Sequence, residues 1–85
     1  MEIEYSSHFV NAYQKLPISI QKKAEQKELV FRNDLFNAAL KTHKLSGKLK
    51  NFYASSIDRK YGIVFAFSHR QKAVFLDAGD HDIYK

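Results

Sequence analysis

Three strand-like runs, 51–57, 60–67 and 72–79, follow one another with almost nothing between them, and that spacing constrains the fold more than any other feature of the chain. Asp58-Arg59 and residues 68–71 are long enough only for hairpin connections, so the three runs are expected to pair antiparallel. Tyr61, Ile63, Phe65 and Phe67 fall on one face of the middle strand, and Gly62, Val64 and Ala66 on the other. The third run contains AVFLDA, almost continuously apolar, which is the pattern of a central strand.

Upstream, the apolar period changes. Glu2-Ile3-Glu4-Tyr5 alternates as a half-buried strand does. Ser6 or Ser7 then offers an N-cap, and Phe9, Val10, Tyr13 and Leu16 recur at helical spacing until Pro17 stops the helix. A second helix places Ile20, Ala24, the stem of Lys27, Val30 and Phe31 on one face, with Lys22, Lys23, Glu25, Gln26 and Glu28 outside it. It is expected to run to about Arg32, after which Asn33-Asp34 can cap a short turn over Leu35, Phe36, Ala39 and Leu40. The order is β-α-α-β-β-β, an α+β fold with an antiparallel sheet and a helical hairpin packed on one face.

Eighty-five residues allow one domain, spanning 1–85, with one small core. A chain of this size buries only roughly 60–65% of its unfolded surface. Seven Phe and five Tyr offset that by supplying large apolar area from few positions. The absence of cysteine removes disulfides and thiolate metal sites, and suits a reducing cytoplasm. The first residues, MEIEYSSHF, lack a signal-like apolar run, and no stretch approaches the ~20 apolar residues of a membrane span. A cytoplasmic protein with no membrane partner is expected.

The net charge of +5 is confined to residues 41–61. Lys41, Lys44, Lys48, Lys50, Arg59 and Lys60 stand there against the single acid Asp58, while both flanks are neutral. Basic side chains interleaved with Phe52, Tyr53 and Tyr61 point to a polyanion such as nucleic acid. A solvated lysine-rich loop would carry the same charge.

The segments HKLSGKLKNFY at 43–53, KYGIVFAF at 60–67 and DAGDHDIY at 77–84, in this element order, resemble the RelE/ParE toxin superfamily across essentially the whole chain. The His-Lys-Leu-x-Gly loop and the Gly-x-His-Asp-x-Tyr segment are the most specific parts. The resemblance implies the toxin half of a type II toxin–antitoxin pair, held by a cognate antitoxin in a hetero-oligomer. RelE-like members cleave mRNA in the ribosomal A site, whereas ParE-like members inhibit DNA gyrase. Three readings follow: a ribosome-dependent mRNA endonuclease, a ParE-like gyrase poison, or a non-catalytic ribosome- or RNA-binding module on the same scaffold.

Metal-free RNA cleavage uses the neighbouring 2′-hydroxyl as nucleophile. It needs a base, a cation beside the phosphate and an acid for the leaving 5′-oxygen, and no cofactor. The resemblance places catalytic roles at His81 and, in a histidine-using branch, at His43. Tyr84 falls at the aromatic position that contacts substrate, although core closure would also explain it. Asp80 and Asp82 beside His81 favour imidazolium, which suits an acid or a phosphate binder. Lys44, Lys48, Lys50, Arg59 and Lys60 are candidate RNA contacts, adding affinity without base specificity. Ile83 reads as core. His8 and His69 read as surface residues, and four scattered histidines with Asp77, Asp80 and Asp82 do not make a metal site.

The chain departs from the family pattern at Gly62, where RNA-cleaving relatives carry an Arg that stabilises the phosphate. Glycine inside a strand costs backbone entropy and packs nothing, so a bulge or a close backbone approach would justify it. Loss of that Arg, natural or engineered, would instead leave the activity weakened or absent. Tyr53 and Ser55 fall where the best-known RelE-type site has two strand lysines, which aligns this chain with the histidine-using branches.

Overall fold

A computed structural model describes residues 1–84, for Tyr84 the backbone alone. The elements are β1 (Glu2–Tyr5), α1 (Ser7–Gln14), α2 (Ile18–Asn33), β2 (His43–Lys44), β3 (Tyr53–Ser56), β4 (Tyr61–His69) and β5 (Lys72–Asp80). Short 3-10 turns lie at Ala38–Leu40, Gly47–Leu49 and His81–Tyr84. One sheet holds all five strands in the order β1-β5-β4-β3-β2, and the fold class is the α+β arrangement the sequence predicts.

The three consecutive runs form the antiparallel centre of this sheet. Two features lie outside the sequence-based expectation. β1 joins the edge parallel to β5, from Glu2 opposite Lys72 to Tyr5 opposite Phe75, which makes the sheet mixed. β2, only two residues long, closes the other edge against β3 inside the segment read as a basic loop. β4 and β5 slip register between Val64 and Phe65, where Leu76 is left without a partner, and again between Phe67 and His69.

Ser6 turns β1 into α1. Its backbone N–H donates to Phe75 O at 3.0 Å, still in the sheet, while its hydroxyl accepts from Phe9 N at 3.0 Å as the helix N-cap. Pro17 then separates the helices, and Gln21 Nε2 donates to Leu16 O at 3.0 Å across the break. Ile20, Ala24 and Phe31 are the buried face of α2. Phe31 meets Phe65 and Phe75 edge to face at centroid distances of 4.9 and 5.1 Å, and Phe9 meets Phe75 at 5.3 Å. Such pairs contribute about 0.5–1.5 kcal/mol each beyond their buried area. Val10, expected on the buried face of α1, is 41% exposed because the buried stripe passes through Phe9 and Leu16 instead.

A second, smaller apolar cluster occupies the sheet face opposite the helices. Leu45, Ala54 and Val64 are its buried members, with Leu49, Phe52 and Ile83 packed around them.

Candidate nucleic-acid interface

The basic segment is built rather than loose. Leu40 is buried at the end of its 3-10 turn, and Lys41 then takes the left-handed conformation at φ 49°. His43 pairs with Ala54 and so shares the face that carries Val64. Its Nδ1 lies 2.9 Å from Lys41 O, which assigns the proton of the neutral ring to Nδ1 and makes Nε2 an acceptor. Leu45 N donates to Phe52 O at 2.9 Å, and Gly47 at φ 66° supplies the turn that only glycine adopts at no steric cost. His43, Lys44, Ser46 and Lys48 border a hollow of about 420 Å³ that contains no acid. Lys50 is exposed nearby in the chain.

Arg59 and Lys60 are exposed on the turn between β3 and β4. Asp58 folds that turn by accepting the N–H groups of Lys60 at 2.9 Å and Tyr61 at 2.8 Å, and Lys23 Nζ approaches its other oxygen at 3.7 Å. Burial pushes the Asp58 carboxyl up, but those two amides and the Lys23 ammonium outweigh it and hold the group below its ordinary value. The only acid of the basic quarter is therefore committed to turn structure. Lys60 Nζ lies 5.5 Å from the centre of the Tyr61 ring.

The terminal turn begins beside Lys60. His81 N–H donates to Lys60 O at 2.9 Å, extending the β4–β5 ladder by one bond before the chain reverses. Asp82 N–H then donates to the Asp80 carboxylate at 3.0 Å. Ile83 packs with Leu45, Ala54 and Val64, so the turn folds onto the face that carries His43. His43 and the His81 turn thus share one face of the sheet, and Lys60 borders the first residue of that turn.

A second surface lies between α1 and α2. Tyr5, Phe9, Val10, Tyr13, Glu25 and Glu28 are among the residues lining an apolar groove of about 340 Å³. The Tyr5 hydroxyl donates to Glu28, and the Tyr13 hydroxyl lies 3.3 Å from Glu25. Burial, reinforced by those carboxylates, pushes both phenols above their ordinary range.

No protein-family model and no curated protein matches the chain. Solved structures do. YafQ from Escherichia coli strain BL21(DE3) superposes with a TM-score of 0.79 at 16% identity, covering 96% of this chain and 94% of that one. A YoeB/ParE toxin from Agrobacterium tumefaciens gives 0.77 at 15%, covering 95% and 99%. The RelBE2 toxin–antitoxin complex from Mycobacterium tuberculosis gives 0.77 at 11%, covering 94% and 96%. The fold is that of the RelE/ParE toxins.

Within this RelE/ParE fold, His43, Gly62 and the His81 turn occupy the open face, away from the helices. Gly62 is buried between Ser56 on β3 and Gly79 on β5, with no register slip at its position. Tyr53 and Ser55, by contrast, face the helices. Tyr53 stacks on Phe65 at 5.7 Å and Ser55 is 3% exposed. The open-face positions of β3 are Ala54 and Ser56, and Tyr53 and Ser55 belong to the helix side. The role expected of Tyr84 rests on a side chain outside the described residues. His8, read as a plain surface residue, has its Nε2 3.1 Å from Asp77 Oδ1. Among the described residues, no group of three or more His, Asp or Glu gathers as metal ligands, and no helix is long and apolar enough to cross a membrane.

Proposed function

We propose that this protein is the toxin of a type II toxin–antitoxin pair and that it cleaves mRNA in the ribosomal A site. The observation that carries the proposal is the bond from His81 N–H to Lys60 O, which starts the titratable turn beside the exposed cations of the β3–β4 turn. Lys44, Lys48, Lys50, Arg59 and Lys60 bind the RNA backbone, where each contact adds affinity without reading sequence. The 2′-hydroxyl of the substrate attacks the adjacent phosphorus, the P–O5′ bond breaks, and a 2′,3′-cyclic phosphate and a 5′-hydroxyl result. His43, with Nε2 as acceptor, is the candidate base, and His81 the candidate acid for the departing 5′-oxygen. Tyr84 is the candidate substrate contact. At Gly62 the phosphate lacks the strand guanidinium of RNA-cleaving relatives, so the rate is low.

The folds it shares support an antitoxin partner as well, since RelBE2 and a YoeB–YefM pair from Staphylococcus aureus are toxin–antitoxin complexes. The test is purified protein in a cell-free translation reaction, followed by primer extension on the mRNA. Discrete cuts at the A-site codon are expected. Intact mRNA together with blocked supercoiling by gyrase, or with arrested translation, would overturn the nuclease reading.

A further inference from the structure

Cleavage needs the His81 imidazole held in one place, yet His81 opens a turn of only four residues, His81–Tyr84. What holds that turn lies beneath it. The backbone of Gly79 does not demand glycine, because the positive-φ positions among the described residues are Lys41 and Gly47. Space demands it. A Cβ built on Gly79 would lie 2.9 Å from Ile83 Cγ2, well inside the ~3.5–4.0 Å at which carbon atoms pack. Gly79 pairs with Gly62, and the turn contacts both β4 and β5. Ile83 reaches from there into the Leu45, Ala54 and Val64 cluster. The His81 N–H bond to Lys60 O anchors the other end of the turn.

We infer that Gly79 is a positioning residue: the space above its bare Cα is the socket for Ile83, and that socket sets where the His81 ring stands relative to Lys60. The catalytic consequence rests on the mRNA-cleavage reading, whereas the socket itself does not. The side chain that fills it is branched at Cβ, and Cγ2 is the branch that would meet a methyl group at 79. Ile83→Leu removes that branch while keeping the volume, so it is the change that should relieve a clash there.

The experiment compares wild type, Gly79→Ala, Ile83→Leu and the double variant on ribosome-bound mRNA, with the His81 imidazole followed by proton NMR. Gly79→Ala is expected to lower kcat by about 10- to 100-fold with little change in KM, since displacing a reacting group by about 1 Å costs that much. Its His81 resonance should move. Ile83→Leu alone should change little, and the double variant should recover both the rate and the resonance. A Gly79→Ala protein that fails to fold, but folds again with Ile83→Leu, would support the socket equally. Wild-type behaviour of Gly79→Ala, a loss confined to KM, or failure of Ile83→Leu to restore rate, resonance or folding would overturn the inference. If wild type cuts no mRNA, the reaction is wrong, and the resonance or folding comparison alone decides the socket.

Discussion

On the side of the helices, Phe31, Phe65 and Phe75 are 2% exposed or less and Phe31 meets the other two edge to face, whereas on the other side β3, β4 and β5 present Ala54, Ser56, Gly62, Val64 and Gly79. The same strands therefore carry large rings on one face and smaller side chains on the other. Large apolar area on the helix face supplies most of what a small core can. Low relief on the open face lets the 43–49 loop and the His81 turn come down close to the backbone. Stability and the proposed chemistry thereby fall on opposite sides of one sheet, and changes on the two sides should be separable.

The largest expected effect falls on the open face. His81→Gln should lower mRNA cleavage by about 10²–10⁴-fold, the range for removing a general acid, with a thermal midpoint near that of wild type. Gly62→Arg should act in the opposite direction. A guanidinium there, between the small Ser56 and Gly79, should raise the rate by about 10²–10³-fold if it reaches the phosphate. Single-turnover cleavage on programmed ribosomes reads both. Unchanged rates in both variants would end the assignment of chemistry to this face.

The reciprocal test is Phe65→Ala on the helix face. It should cost about 3–5 kcal/mol in urea unfolding, and any protein that remains folded should keep its cleavage pattern. Smaller still, Lys48→Ala and Lys50→Ala should each weaken RNA binding and reduce the slope of log K against log salt by about 1. The smallest effect concerns Asp58. Its carboxyl is held below its ordinary value in the folded chain, so the folded protein gives up that proton more readily than the unfolded one. The resulting stability is complete above the unfolded value and fades as pH falls through the folded one. Asp58→Asn should remove that part of the acid-side loss, seen as a flatter dependence of urea midpoint on pH below the ordinary carboxylate range.

The sequence makes the helix face readable because period and size agree there. Tyr61, Ile63, Phe65 and Phe67 share a face by strict alternation, and Ser6 announces the start of α1 by its capping oxygen. The open face is harder to read because its information lies in what is absent. Gly79 reads only as the end of the third run until the Ile83 methyl group is seen over it. β2 spans two residues, too few for any period to appear, and β1 pairs in parallel with a strand about 70 residues away, which no local pattern encodes. The resemblance puts Tyr53 and Ser55 where the family pattern has two strand lysines, yet both face the helices here, and a one-residue offset in a strand exchanges its two faces. His43, His81 and the lysines were legible as chemistry, while the placing of His43 and the His81 turn on one face required the sheet.

The account depends most directly on 5′-end mapping of an mRNA held on ribosomes with a defined A-site codon, treated with wild type and with His81→Gln. It predicts discrete ends at that codon for wild type and their loss in the variant, with both proteins bound to the ribosome to the same extent. Ends absent from the wild-type lane, or undiminished in the His81→Gln lane, would contradict it.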